Sequence, residues 1–116
     1  MVIDDSNSMR GLVKATLTGA GYKVVEATDG LHALEQLATA KFDLFLCDVN
    51  MPRLDGLSLV KRLRALPATK YAPILMLTTE VDPEKKRVAK EAGATGWLVK
   101  PFQPAQLLST IQKVLV

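Results

Sequence analysis

The sequence has little cysteine and few aromatic residues, and it lacks any long apolar run. Its single cysteine, Cys47, cannot form a disulfide within the chain, and its place in the apolar run FDLFLCDV predicts a buried strand residue. No apolar run approaches the roughly 20 residues that a membrane-spanning helix needs, and no basic segment followed by a hydrophobic signal region opens the chain. We therefore expect a protein that makes no membrane contact and stays in the cytoplasm.

Low-complexity tracts and Pro/Gly/Ser-rich linkers are also missing, which argues against disorder and against a second domain. The chain has 116 residues, 48% of them hydrophobic, and this is enough for one core. We expect residues 1–116 to form one domain. The net charge of +3 is not carried by a long basic cluster, so we expect no direct contact with nucleic acid.

Apolar runs and helical spacing alternate along the chain. Strands are predicted at residues 1–3, 22–26, 43–47, 73–77 and 95–99. Helices are predicted from about residue 7 to residues 19–21, at 30–38, 56–65 and 83–92, and after Pro104. Strict alternation implies right-handed crossovers, and therefore a parallel five-stranded sheet with helices on both faces. The prediction is a three-layer (βα)5 doubly wound α/β fold.

Local patterns refine this prediction for individual helices. In the first helix, Leu12 falls on the apolar face and Arg10 on the polar face. The pairs Asp29-Gly30 and Asp55-Gly56 predict turns or helix caps rather than ligands. The helix at residues 83–92 offers only Val88, Ala89 and Ala92 to a core, and we expect it to be the least firmly held.

Polar side chains come directly after the predicted strands, where an open parallel sheet forms its binding sites. These residues are Asp4 and Asp5, Asp48, Thr78, and Lys100. Two carboxylates about 4 Å apart repel by roughly 4 kcal/mol at an effective dielectric of about 20, so three of them call for a cation. Hard oxygen ligands suit Mg²⁺, which typically binds one or two carboxylates together with waters and phosphate oxygens.

The same five residues suit phosphoryl transfer. Asp48 is then the nucleophile that forms an aspartyl phosphate, while Lys100 and Thr78 contact two of the phosphoryl oxygens. Mg²⁺ on the third oxygen completes the stabilisation of the transition state. Their joint placement on strand ends favours this interpretation over separate capping or loop roles.

Four segments also resemble the motifs of response-regulator receiver domains, above all those of single-domain chemotaxis regulators. They are VIDDS at 2–6, DVNMPRLDGLSLVKRLR at 48–64, LTTE at 77–80 and GWLVKPF at 96–102. The resemblance covers the whole chain, and it implies the flavodoxin-like strand order 2-1-3-4-5. Only three residues precede Asp4, so the first strand is shorter than is usual in the family.

The resemblance also implies roles for individual residues. Asp48 is the phosphoacceptor, and Mg²⁺ is bound by Asp5, Asp48 and the backbone carbonyl of Asn50, with Asp4 acting through a metal-bound water. Thr78 and Lys100 take the switch and phosphate-binding positions.

Further residues match the family at positions that adjust the switch. Trp97 takes the aromatic switch position, where its large ring puts a full inward turn in question. Asn50 and Glu80 tune self-dephosphorylation, and the Lys100-Pro101 peptide bond is cis.

The function that the resemblance implies is that of a phosphorylation-activated signalling switch. A histidine kinase donates the phosphoryl group, and the protein catalyses only its own phosphorylation and dephosphorylation, so it is not an enzyme acting on other substrates. A surface made of the fourth helix, fifth strand and fifth helix changes and binds an output protein, in chemotaxis the flagellar motor switch. We expect a monomer. The alternative is a receiver domain belonging to a larger multidomain regulator or hybrid kinase.

Three other functions fit an open parallel sheet less well. An aspartyl phosphatase needs a second aspartate two residues after the nucleophile, where this chain has Asn50. An FMN carrier needs a hydroxyl- or glycine-rich phosphate loop after the first strand, where this chain has Asp4 and Asp5. A scaffold that no longer takes phosphate is disfavoured because all five site residues are present.

Overall fold

The computed structural model describes residues 1–79 and 82–115 and shows strands and helices in strict alternation. The strands are β1 (Val2–Ile3), β2 (Glu26–Ala27), β3 (Phe45–Asp48), β4 (Ile74–Thr78) and β5 (Gly96–Val99). The helices are α1 (Asn7–Gly19), α2 (Gly30–Gln36), α3 (Gly56–Ala65), α4 (Pro83–Ala92) and α5 (Pro104–Val114). None of these helices is long and apolar enough to cross a membrane.

The strands form one parallel sheet in the order β2-β1-β3-β4-β5. Both the predicted fold class and the strand order that the resemblance implied are thereby confirmed. From β1 the chain moves to β2 at one edge, then returns past β1 to β3 and continues outward to β5. The direction therefore switches between β1 and β3, which is where open sheets of this kind leave a crevice at the carboxyl ends of the strands.

Neighbouring residues of each strand point to opposite faces of the sheet, and each face has its own core. One core joins the sheet to α2, α3 and α4, and Phe45, Cys47, Ile74 and Met76 are its buried strand residues in β3 and β4. The other joins the sheet to α1 and α5 through Leu46, Leu75, Leu77 and Leu98. Cys47 is fully buried as predicted, and burial raises the pKa of its thiol, so it stays protonated and unreactive.

The predicted bounds of all five strands were wrong at one end or both, and three strands differ at their C-terminal ends. β2 lies at Glu26–Ala27 instead of 22–26, because its one neighbour in the sheet, β1, pairs with it through only two residues. β3 and β4 each extend one residue further than predicted, so Asp48 and Thr78 end their strands instead of following them. The sheet therefore fixes the backbone position of both residues.

The predicted faces of α1 were also partly wrong. Arg10 is only 9% exposed, whereas Leu12 is 47% exposed. The guanidinium of Arg10 finds acceptors inside the fold, and its aliphatic stem can be buried along with them. A pattern of hydrophobic residues cannot predict such polar partners.

Aspartate and serine side chains cap four of the helices. Ser6 accepts a hydrogen bond from Met9 N at the start of α1, and Asp29 and Asp55 cap α2 and α3 in the same way, as predicted. At α4 the acceptor is Asp82. These caps fix where each helix begins, and so how the preceding loop leaves the sheet.

Helix α4 has few apolar anchors, as its sequence predicted. Ala89 is its one buried residue. The helix ends at Gly93, whose φ of 117° lies in the left-handed region. Arg64 of α3 holds this end, because its Nε donates to the Gly93 carbonyl at 2.9 Å. The guanidinium of Arg64 also donates to the carbonyl of Ala72 at 2.7 Å.

Gly56, the first residue of α3, packs directly against the end of β3. A Cβ atom at this position would lie 2.3 Å from the Asp48 carbonyl oxygen and 2.9 Å from the Val49 Cα. Both neighbours are backbone atoms and cannot rotate away. Glycine at residue 56 therefore allows α3 to begin immediately beside Asp48, and Gly56 N donates to the Val49 carbonyl at 2.9 Å.

We expect Gly56→Ala to lower the free energy of unfolding by about 1–3 kcal/mol, because α3 must move away from the end of β3. Urea denaturation would measure the change. Gly11→Ala is the matched control, since a Cβ at Gly11 meets nothing within 4 Å. In the interior of α1 that substitution is expected to stabilise the protein by about 0.5–1 kcal/mol. Equal effects of the two substitutions would contradict the packing argument.

Candidate functional site

Four strands bring polar side chains to one edge of the sheet. Asp4 and Asp5 follow β1, Asp48 ends β3, Thr78 ends β4 and Lys100 follows β5. The ladder places Thr78 opposite Val99, and Lys100 N donates to the Thr78 carbonyl at 2.7 Å. All four strands are parallel, so their carboxyl ends meet on the same side of the crevice.

Three carboxylates gather in this crevice. Asp4, Asp5 and Asp48 each place a carboxylate oxygen within 4.8 Å of the other two. Asp4 is fully buried and Asp48 is 7% exposed, whereas Asp5 is open to solvent. The cluster therefore has a closed inner side and an accessible outer side.

Lys100 lies between two of the carboxylates. Its ammonium is 2.8 Å from Asp4 Oδ2 and 3.2 Å from Asp48 Oδ1, and its side chain is 12% exposed. Burial lowers the pKa of Lys100, but the hydrogen bond and charge of Asp4 and the charge of Asp48 outweigh it, so the net shift is upward. Lys100 is therefore a permanent cation in this site.

One cation does not balance three carboxylates. Burial, followed by the negative charge of Asp4, raises the pKa of the Asp48 carboxyl although Lys100 opposes the shift. The possible metal ligands are carboxylate oxygens with excess negative charge, and the cluster is accessible to solvent at Asp5. These properties fit a hard divalent cation such as Mg²⁺.

Arg10 supports the loop that carries the aspartates, a role that the sequence pattern missed. Its Nη1 donates to the Asp4 carbonyl at 2.6 Å, and its Nη2 donates to Asn7 Oδ1. Its Nε lies 3.6 Å from Glu26 Oε1 and is buried without a hydrogen bond. The i, i+3 spacing of Asn7 and Arg10 was the one hint in the sequence.

Thr78 and Trp97 lie on the α4 side of the sheet. Thr78 is 2% exposed, and strand alternation directs its side chain to the same face as Met76. Trp97 pairs with Met76 in the ladder and is half-buried against the core beneath α4. The two residues therefore border the helix that has the fewest apolar anchors.

Asn50 and Glu80 are the remaining predicted site residues. Asn50 is exposed, two residues beyond Asp48. Glu80 lies outside the described residues. The Lys100-Pro101 peptide bond is cis, as the resemblance implied.

A bidentate ion pair fastens the loop that contains Asn50. Arg53 has a φ of 64°, and its Nε and Nη2 lie 2.7 Å and 2.9 Å from the two carboxylate oxygens of Asp29. The hydrogen bond from Arg53 lowers the pKa of Asp29, and the backbone N–H of His32 acts in the same direction. The loop after β3 is thereby joined to the start of α2.

Comparison with known proteins gives a consistent result. The family model described as "Response regulator receiver domain" matches residues 1–112. The chemotaxis protein CheY1 of Helicobacter pylori is 42% identical over 99% of this chain and 94% of its own length. The solved structure of chemotaxis protein CheY4 of Vibrio cholerae is 53% identical, with a TM-score of 0.95 over 98% of this chain and 95% of that one.

A more distant solved structure bears on the metal. The receiver domain of a sensor histidine kinase from Pseudomonas aeruginosa is 28% identical, with a TM-score of 0.90 over 98% of this chain and 93% of that one. It is described with a magnesium ion coordinated in its active site cleft.

We expect Asp48→Asn to raise the free energy of unfolding at neutral pH in metal-free buffer. The folded state binds a proton at Asp48 more readily than the unfolded chain does, so ionising this group costs stability as the pH rises above the ordinary value of 3.8. The amide removes that cost. The gain should disappear in acid, where both states are protonated.

Urea denaturation at neutral pH and at about pH 3 would check this expectation. Glu35→Gln, at an exposed carboxylate, serves as the control and should change little. If Asp48→Asn proves no more stable than the wild type at neutral pH, the carboxylate cluster carries no net electrostatic cost.

We expect Asp29→Asn, in contrast, to lower the free energy of unfolding at neutral pH. Asparagine keeps the helix cap but loses the ion pair with Arg53. Because the pKa of Asp29 is lowered on folding, its contribution is full above the ordinary value of 3.8 and fades as the pH falls through the lowered pKa. The variant should be less stable than the wild type at neutral pH, and the difference should narrow in acid.

A double-mutant cycle with Arg53→Asn would isolate the pair, since asparagine tolerates the left-handed backbone at residue 53. The double variant is expected to be no less stable than either single variant. Fully additive losses would show that the two side chains do not interact.

Proposed function

We propose, since the chain belongs to the response regulator receiver domain family, that residues 1–116 work as one receiver domain and that Asp48 is its phosphoacceptor. The family consists of signalling domains and not of metabolic enzymes. The observation that carries the proposal is the position of Asp48. It ends a central strand, within 4.8 Å of two further carboxylates and 3.2 Å from a lysine ammonium.

The proposed reaction is transfer of a phosphoryl group from a phosphohistidine of a histidine kinase. A carboxylate oxygen of Asp48 attacks phosphorus, and the new P–O bond forms as the P–N bond to the kinase imidazole breaks. The imidazole leaves and takes up a proton. The product on this chain is an aspartyl phosphate, and the chain catalyses only its own phosphorylation and dephosphorylation.

Asp5, Asp48 and the backbone carbonyl of Asn50 would hold Mg²⁺, and Asp4 would reach it through a water. The ion would supply positive charge to the oxygens of the transferring phosphoryl group. Asp4 also holds the Lys100 ammonium at 2.8 Å, which keeps that ammonium beside Asp48. Fixed charges of this kind stabilise a transition state without reorganising.

Lys100 and Thr78 would contact the phosphoryl group once it is attached. The ammonium already lies beside Asp48 and can pair with a phosphoryl oxygen. Thr78 ends the neighbouring strand β4, and its hydroxyl can donate to another oxygen. Asn50 and Glu80 would tune how quickly water removes the group.

The signal would leave the site through α4, β5 and α5. Movement of Thr78 toward the phosphoryl group would open space beside Trp97. Helix α4 could then shift, because Ala89 is its one buried residue. Phosphorylation shifts such a surface only by its different interaction energy with the two forms. The output partner would be a protein, and the similarity to CheY1 and CheY4 favours a flagellar motor switch in chemotaxis.

The proposal further includes action as a monomer in the cytoplasm, without direct contact to nucleic acid or membrane. The alternative is that the domain serves a larger regulator or hybrid kinase. The solved receiver of a sensor histidine kinase shares the fold, so fold alone does not separate the two. Phosphorylation-dependent binding of residues 1–116 to a motor switch protein would favour the stand-alone role.

The first experiment is incubation with acetyl phosphate, with and without Mg²⁺, followed by intact mass and by the fluorescence of the single tryptophan. We expect a Mg²⁺-dependent mass increase of one phosphoryl group and a fluorescence change that beryllium fluoride reproduces. Asp48→Asn should abolish both. Lys100→Met should slow the reaction by on the order of 100-fold, because it removes one fixed charge at the transition state. Phosphorylation that persists in Asp48→Asn would refute the assignment.

A further inference from the structure

The loop between β3 and α3, residues 49–55, carries one of the proposed metal ligands, the backbone carbonyl of Asn50. Asn50 is exposed, and no hydrogen bond to another residue of the ranges 1–79 and 82–115 holds it in place. The position of its carbonyl therefore depends on the contacts that hold the rest of the loop.

The base of this loop is held by the sheet. Val49 N donates to the Leu77 carbonyl at 3.1 Å, and Gly56 N donates to the Val49 carbonyl at 2.9 Å. Both hydrogen bonds lie where the loop joins β3 and α3, close to Asp48. They leave the direction of the outer part of the loop, residues 50–54, to other contacts.

The outer part of the loop is held by the turn between β2 and α2. Asp29 is 6% exposed, and its two carboxylate oxygens accept hydrogen bonds from Arg53 at 2.7 Å and 2.9 Å. One of these oxygens also accepts from His32 N at 2.9 Å, so the carboxylate is itself fixed by the start of α2. Gly30 packs against the same loop, since a Cβ at Gly30 would lie 2.6 Å from the Leu54 carbonyl oxygen.

The same turn also supports the loop that carries the first two aspartates. Asp4 N donates to the carbonyl of Ala27, the last residue of β2, at 3.1 Å. Asp29 follows Ala27 by two residues. Two of the segments that carry proposed metal ligands are therefore held by one turn, and this turn links their positions.

The geometry of the Arg53 ion pair suits a positioning role. A bidentate pair between a guanidinium and a carboxylate fixes orientation as well as distance. The backbone at Arg53 has a φ of 64°, in the left-handed region that residues other than glycine seldom adopt. The pair therefore holds the loop in one particular course between β3 and α3.

We propose that Asp29 and Arg53 are positioning residues for the metal site, and that their ion pair favours Mg²⁺ over Ca²⁺. The pair would set the place of the Asn50 carbonyl relative to the other two ligands, Asp5 and Asp48. The inference rests on the proposed function in one respect, that these three residues bind the ion. Mg²⁺ demands near-ideal octahedral geometry, whereas Ca²⁺ accepts flexible geometry, so a displaced carbonyl penalises Mg²⁺ more.

The test uses the full ¹⁵N-labelled chain, freed of metal and titrated with Mg²⁺ or with Ca²⁺. Amide shifts at residues 5, 48 and 50 report binding. Asp29→Asn keeps a helix-capping side chain, and Arg53→Asn keeps a residue that tolerates the left-handed backbone. We expect each to weaken Mg²⁺ binding by on the order of tenfold and Ca²⁺ binding by about threefold or less. The double variant should bind Mg²⁺ as weakly as either single variant.

The two substitutions change the net charge in opposite directions, which separates positioning from simple electrostatics. Loss of the Asp29 carboxylate makes the region less attractive to a cation, whereas loss of the Arg53 guanidinium makes it more attractive. Positioning predicts weaker Mg²⁺ binding in both variants. Tighter Mg²⁺ binding in Arg53→Asn, or equal losses of affinity for the two ions, would overturn the proposal.

Three controls address charge and stability. Glu35→Gln and Lys41→Gln make the same changes in net charge at exposed positions. Ile111→Val removes one methyl group from the core beneath α1 and α5, and so lowers stability on the opposite face of the sheet. All three should keep the wild-type affinities for both ions. If Ile111→Val reduced the preference for Mg²⁺ as much as Asp29→Asn does, lost stability alone would explain the effect and the proposal would be wrong.

Phosphorylation by acetyl phosphate is measured on the same samples, so that two failures can be told apart. If the wild type binds Mg²⁺ and is phosphorylated, and both variants keep its affinities, the positioning role fails and the receiver function stands. If Mg²⁺ binding depends on Asp29 and Arg53 but no phosphorylation occurs, the phosphoacceptor assignment fails and the positioning role stands. A wild type that does neither refutes both.

Discussion

The bridge that Lys100 makes between Asp4 and Asp48 is the interaction on which the candidate site depends. Its two partners come from the ends of β1 and β3, and the lysine from the end of β5, 96 residues after Asp4. Without the ammonium, two buried carboxylates would face each other with no compensating charge, at a cost of several kcal/mol. The bridge reduces that cost but leaves an excess of negative charge, and this excess is what makes the crevice receptive to a divalent cation.

The surrounding structure keeps this unfavourable cluster in place. Arg10 holds the Asp4 carbonyl from within α1, and Gly56 lets α3 begin against the Asp48 backbone. The Arg53–Asp29 pair fastens the loop that carries Asn50. None of these three contacts involves the carboxylates of Asp4, Asp5 or Asp48. Stabilising a functional site from outside its reacting atoms is a common way for a protein to tolerate local repulsion.

The sequence predicted the sheet because its strands are nearly continuous apolar runs, and it predicted the site because parallel strands end at the same edge. It did not predict the side-chain contacts that join separate segments, because no periodic pattern encodes their geometry. Arg10 was placed on the polar face of α1 because an apolar pattern cannot anticipate a buried carbonyl acceptor. The pairing of Arg53 with Asp29, 24 residues apart, depends on how two loops meet. β2 was misplaced because its extent depends on the length of β1.

The contacts of Arg64 at the C-terminal end of α4 have a mechanical consequence. Arg64 joins the carbonyls of Ala72 and Gly93, so the turn after α4 is fixed to the segment that enters β4. The helix itself rests on the sheet through Ala89 alone among its buried residues. Arg64 therefore couples the C-terminal turn of α4 to the segment that enters β4, the strand that Thr78 ends, so a displacement of one would be transmitted to the other.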